Sequence, residues 1–79
     1  MNYKLLYFAS LADRAGCAEE SLDSIATDPA ALYEEVKVRH GFALGRERLR
    51  VAVNGAIVGW DHALRNGDEI VFLPPVSGG

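Results

Sequence analysis

The sequence predicts an α+β fold: a sheet of four to five strands with one main helix packed across one face. Three observations carry this. One well-marked helix, at residues 28–41, stands between strand-like segments on both sides. Asn54-Gly55, set between apolar runs, is the dipeptide of a tight hairpin. A chain of 79 residues with 49% hydrophobic side chains supplies one core and no second one.

Residues 3–9, Tyr-Lys-Leu-Leu-Tyr-Phe-Ala, are rich in β-formers and read as a buried first strand. Ser10 to Gly16 reads as a short helical turn, with Ser10 as its cap and Gly16 as its stop. Ala18 to Leu22 follows as a second strand, antiparallel to the first. In the main helix Asp28 is the N-cap and Pro29 occupies the first helical position, where a missing N–H costs nothing. Leu32, Val36 and His40 recur every fourth residue beside Tyr33 and make one apolar stripe. Glu35 and Arg39 are spaced for an ion pair on the wet side, and His40 suits a helix C-terminus. Gly41 supplies the left-handed stop, with Phe42 closing back on the last turn.

Leu49 to Val53 alternates as a half-buried strand does, and Ala56-Ile57-Val58 is its return strand. Asn66-Gly67-Asp68 makes another turn before Glu69 to Leu73. That last run is almost continuously apolar, which suits a strand covered over much of both faces. Pro74 has no N–H for a ladder, so the strand ends there. The organisation is one domain over residues 1–79, with 74–79 as a projecting tail.

Composition narrows the function. The net charge of −3 is spread without a cationic stripe, which argues against nucleic acid. No apolar run is long enough for a membrane span, and Met1 to Lys4 lacks the layout of a signal peptide. A cytoplasmic protein is expected. Cys17 is the lone cysteine, with no histidine or basic residue beside it in a motif, so a structural thiol explains it better than a nucleophile. Asp61-His62 has no nucleophile at hand and reads as a turn. No metal or cofactor site is expected on the chain.

The ending Phe72-Leu73-Pro74-Pro75-Val76-Ser77-Gly78-Gly79 is the feature a stable domain does not need. Two prolines fix φ near −65° and favour an extended course. Six extended residues reach roughly 20 Å. Gly78 and Gly79 have no side chains, so the tip can thread a narrow channel and present an unhindered carboxylate. At an average glycine usage of about 7%, a chance terminal pair occurs in roughly one protein in 200. The pair alone is suggestive; strand, diproline and glycines together make an aimed arm.

Residues Asn66 to Gly79, with Val51-Ala52-Val53-Asn54-Gly55, the Asp61-His62-x-Leu64 step and Leu5-Leu6-Tyr7-Phe8-Ala9, resemble the small, sulfur-carrying subunits of molybdopterin synthase. The resemblance covers essentially the whole chain and is most specific over Gly67–Gly79. It implies a ubiquitin-like β-grasp that is no enzyme by itself but the sulfur donor of a two-subunit synthase. Gly79 would be adenylated by an ATP-dependent enzyme of the ubiquitin-activating type. A sulfur-transfer protein would then convert it to a thiocarboxylate. Pro74, Pro75, Val76, Ser77 and Gly78 would thread the active site of the large catalytic subunit, in a heterotetramer. Sulfur would pass there to cyclic pyranopterin monophosphate, forming the dithiolene of molybdopterin. Phe8, Ile57 and Leu73 match an apolar docking surface in that family. From the residues alone Phe8 and Leu73 suit core and surface equally, Ile57 leans to the surface, and Trp60 suits either. The chain departs from the family's Phe-Ala-x-x-Arg pattern: Ala12 follows Leu11, and the arginine is Arg14. Thiamine or tRNA thiolation carriers and ubiquitin-like protein modifiers share the Gly-Gly end and stand as alternatives.

Overall fold

Alternation lays down the first strand, β1 (Asn2–Tyr7), with Tyr3, Leu5 and Tyr7 turned to a buried face. In the computed structural model, which describes residues 1–75, β1 stops at Tyr7 rather than Ala9. The cause is a reversal at Ala9, whose φ of +51° turns the chain straight into helix α1 (Ala9–Ala15). Ser10 therefore already lies inside the helix. The N-cap position belongs to Phe8, which makes no side-chain capping bond, so the expectation for Ser10 is corrected. Gly16 ends α1 as expected, at φ +77° with its N–H on Ala12 O.

Strand β2 (Glu19–Asp23) pairs antiparallel with β1, placing Leu22 against Tyr3. Helix α2 (Pro29–His40) begins where Asp28 accepts the Ala31 N–H at 2.8 Å. It ends at Gly41, φ +72°, where the Gly41 and Phe42 N–H groups both reach Lys37 O. Leu32, Tyr33 and Val36 are fully buried. The expected Glu35–Arg39 pair does not form. Glu35 instead accepts the Ser24 hydroxyl at 2.5 Å, and Arg39 lies 3.7 Å from Glu20 on β2. Partners brought by the fold displace a helical pairing worth only about 0.2–0.5 kcal/mol.

A 3₁₀ turn (Arg46–Arg48) leads into β3 (Arg50–Val53) and β4 (Ala56–Val58). Asn54 and Gly55 join them with φ of +51° and +87°, the left-handed pair a two-residue hairpin needs. β3 is more covered than simple alternation implies, since Val51, Ala52 and Val53 are all buried. Ala52 turns outward, but it is small and lies between Ile57 and Val71. The last strand, β5 (Glu69–Leu73), runs parallel to β1 and antiparallel to β3, giving the order β2-β1-β5-β3-β4. Its apolar run thus belongs to the central strand, with Ile70 and Phe72 buried on one face and Glu69, Val71 and Leu73 half-buried on the other.

An aromatic group cements α2 to the sheet. Tyr33 meets Phe72 edge-on at 5.1 Å between centroids, and Phe42 and Trp60 lie on either side. Trp60 is half-buried and stacks on Phe72 at 6.1 Å, so it forms the rim of the core. Each such pair contributes about 0.5–1.5 kcal/mol beyond its buried area.

Candidate functional site: the root of the C-terminal arm and the open sheet face

The arm leaves the molecule from a strand held on both edges. At its start Lys4 N–H bonds Asp68 O at 3.0 Å and Asn54 N–H bonds Glu69 O at 2.8 Å. The Asn54 side chain adds two bonds, to Asp68 Oδ1 and from Glu69 N–H, both at 2.9 Å. The Arg65 backbone N–H and the Asn54 amide, both donating to Asp68, hold its carboxyl below the ordinary range. The hairpin residue Asn54 is therefore also a clamp on the central strand. Pairing continues to Leu73, opposite Arg50, and the ladder stops at Pro74. Pro74 is half-buried and Pro75 exposed. Val76, Ser77, Gly78 and Gly79, the tip on which the thiocarboxylate expectation falls, lie outside the described residues.

The register resolves the question of Phe8 and Leu73. Tyr7 pairs with Phe72, both inward, so the next residue of each strand faces out. Phe8 is 51% exposed and Leu73 half-buried; they begin a row that continues to Arg50 on β3. The adjacent row runs Leu6, Val71, Ala52, Ile57, with Ile57 57% exposed. Phe8, Ile57 and Leu73 therefore share the sheet face that no helix covers. Beside them an open groove of about 630 Å³, lined by Leu49, Arg50, Ile57, Trp60, Leu73 and Pro74, borders the root of the arm.

Other candidate residues stay apart from this face. Cys17 is half-buried against the core. His62 is exposed and its N–H closes a turn onto Gly59 O, with no catalytic group assembled around it. Arg14 donates from Nε to Gly41 O at 3.1 Å and so joins α1 to the end of α2. His40 is more than a helix-end residue. Its Nε2 lies 2.5 Å from Glu20 Oε2, which also accepts the Tyr7 hydroxyl at 2.6 Å. Burial opposes charge on Glu20, but Tyr7, His40 and Arg39 outweigh it and hold the carboxyl below its ordinary value. Burial and the Glu20 carboxylate drive the Tyr7 phenol strongly upward. Among the described residues no cluster of His, Cys, Asp or Glu could hold a metal, and no helix is long and apolar enough to cross a membrane.

Residues 5–79 match the model of the ThiS family. The chain belongs to the ThiS family. A relative in this group, the molybdopterin synthase sulfur carrier subunit of Escherichia coli (strain K12), is 34% identical over 79 residues, covering 96% of this chain and 98% of that protein. Among solved structures, the small archaeal modifier protein 1 of Methanosarcina acetivorans superposes with a TM-score of 0.80 at 26% identity, covering 99% of this chain and 96% of that one. A chain from the complex of subunits 1 and 2 of the molybdopterin-converting factor of Helicobacter pylori 26695 shares the fold, with a TM-score of 0.70 at 22% identity and full coverage of both chains. The architecture is thus the ubiquitin-like β-grasp of this family, a mixed five-stranded sheet with two helices.

Proposed function

We propose that this ThiS-family chain is the small subunit of molybdopterin synthase and carries sulfur as a thiocarboxylate on Gly79. The observation that carries the reading is the end-to-end match to a molybdopterin synthase sulfur carrier subunit, whose coverage includes the arm. The described geometry supports it: the arm departs from the central strand of the sheet, beside an open apolar face.

The chemistry asks little of this chain's side chains. Adenylation by an ATP-dependent partner would turn the Gly79 carboxylate into an acyl group with AMP as leaving group. Sulfide-level sulfur delivered by a sulfur-transfer protein would attack the acyl carbon and expel AMP, leaving a thiocarboxylate that is nucleophilic at neutral pH. The large catalytic subunit would receive the arm and supply the acid–base and anion-binding groups. No cofactor is required on this chain, and the cytoplasm is the compartment where those partners would meet it. Phe8, Ile57 and Leu73 are assigned to docking, and residues 74–79 to insertion.

Incubation with the adenylating enzyme, ATP and a sulfur source is expected to replace one terminal oxygen by sulfur, seen by intact mass. Deletion of Gly79 is expected to abolish both this shift and dithiolene formation with the large subunit, while thermal unfolding stays unchanged. A product that stays entirely carboxylate would sink the carrier reading. Thiocarboxylate that forms yet delivers nothing to the pyranopterin would move the chain to another thiolation pathway. The likeness to a small archaeal modifier protein favours protein conjugation as a second reading; lysine-linked adducts ending in Gly79 would establish it.

A further inference from the structure

The open face of the sheet is apolar along its two central rows, with one cation set into it. Register places Arg50 directly across from Leu73, in the row that begins with Phe8. The neighbouring row brings Val71, Ala52 and Ile57 alongside. On its far flank lies Gly59, one position past the last β4 pair, where the Asp61 carboxylate stands 3.0 Å from the place a Cβ would occupy without coming into ion-pair distance of Arg50. Lys4, on the same face, lies 3.6 Å from Glu19, and Arg39 pairs with Glu20. Arg48, which also lines the groove, is in no ion pair among the described residues, but Arg50 is the cation that register sets in the row of Phe8 and Leu73. Arg50 is exposed and has no carboxylate partner among the described residues. Glu47, the acidic side chain that lines the groove, holds its carboxylate over Gly45.

A partner surface that closes over Phe8, Ile57 and Leu73 also closes over Arg50. An entirely apolar partner would strip water from the guanidinium without replacing it, which opposes binding. A carboxylate at that point reverses the sign, because the planar fork of arginine donates two parallel hydrogen bonds to it. Arg50 faces Leu73, the residue before Pro74, so such a pair would also fix the direction of the arm at its root.

We propose that Arg50 is a specificity-determining contact of this carrier, selecting a large synthase subunit that presents an Asp or Glu to the base of the arm. The inference rests on the function proposed above. Its test compares thiocarboxylated wild-type protein with Arg50→Glu, Arg50→Leu and Arg65→Glu, the last a charge reversal in the turn at the opposite end of β5. Arg50→Glu is expected to weaken Kd for the large subunit about 30-fold or more. Arg50→Leu is expected to lose affinity less and to flatten the salt dependence of binding, and Arg65→Glu to leave both unchanged. Thiocarboxylation by the adenylating enzyme should proceed normally in all of them. An interfacial Asp→Lys or Glu→Lys change in the large subunit should restore Arg50→Glu selectively. Arg50→Glu binding within about twofold of wild type, an equal loss in Arg65→Glu, or a defect confined to adenylation each overturns the inference while wild-type delivery keeps the carrier reading intact. Wild-type protein that neither binds the large subunit nor delivers sulfur overturns both.

Discussion

Ala9 holds a backbone conformation its side chain disfavours. Its φ of +51° lies in the left-handed region, where a Cβ costs roughly 1–2 kcal/mol per residue. The strain has a purpose: it turns β1 into α1 within one residue and leaves Phe8 standing on the open face. Ala9→Gly removes the steric cost but adds freedom to the unfolded chain, which returns part of the gain. A net stabilisation of about 0.5–1 kcal/mol is expected from chemical denaturation, and a loss of stability would show that the turn tolerates its alanine without strain. Sequence does not reveal this position, because Phe8-Ala9 continues a β-like run without a break. Glycine or asparagine at such sites is visible beforehand, as Gly16, Gly41 and Asn54-Gly55 are; an alanine there is not.

At the scale of elements, the edge strand β2 is tied to α2 through one half-buried carboxylate. Glu20 takes the Tyr7 hydroxyl, His40 Nε2 and the more distant Arg39, while its own side chain is only 15% exposed. Spacing along the chain shows the stripe Leu32, Tyr33, Val36, and so where the helix lies. It cannot show that His40 and Arg39 reach a strand 20 residues earlier, since that approach exists only after the sheet forms. The folded state lowers the Glu20 pKa, so its contribution to stability is fully present above the unfolded value near 4.5 and is lost as pH falls through the folded one. Glu20→Gln is expected to cost about 1.5–3 kcal/mol at neutral pH, the range for hydrogen bonds to a charged group. It should also remove part of the acid-side decline, so wild-type and variant unfolding energies converge as pH drops below the carboxylate range. Parallel pH profiles would show that Glu20 is not the group responsible.

At the scale of the whole molecule, the sheet holds β5 between β1 and β3 up to Leu73, the residue before Pro74. Much of this was legible: the apolar run at Glu69 to Leu73 indicated a strand covered over much of both faces, Pro74 fixed its end, and the β-formers of residues 3–9 indicated a buried first strand. The parallel pairing of β1 with β5 was not, because chain ends meet through topology rather than local signals. Nor was the setting of Arg50, since an arginine in an alternating strand reads as an ordinary solvent-facing residue. The arm's first two residues test the directional role. Pro74 follows the last paired residue and Pro75 is exposed, so neither donates to the sheet. Replacing both by glycine leaves the ladder intact and should move unfolding energy by no more than about 0.5 kcal/mol. The freed arm must then be ordered whenever it inserts, at a cost of about 1–2 kcal/mol for two residues. With thiocarboxylated carrier as the varied substrate, KM at the large subunit is expected to rise about 5- to 30-fold, with kcat changed far less. An equal fall in kcat with KM unchanged would mean instead that the prolines act inside the partner's site, on the geometry of sulfur transfer.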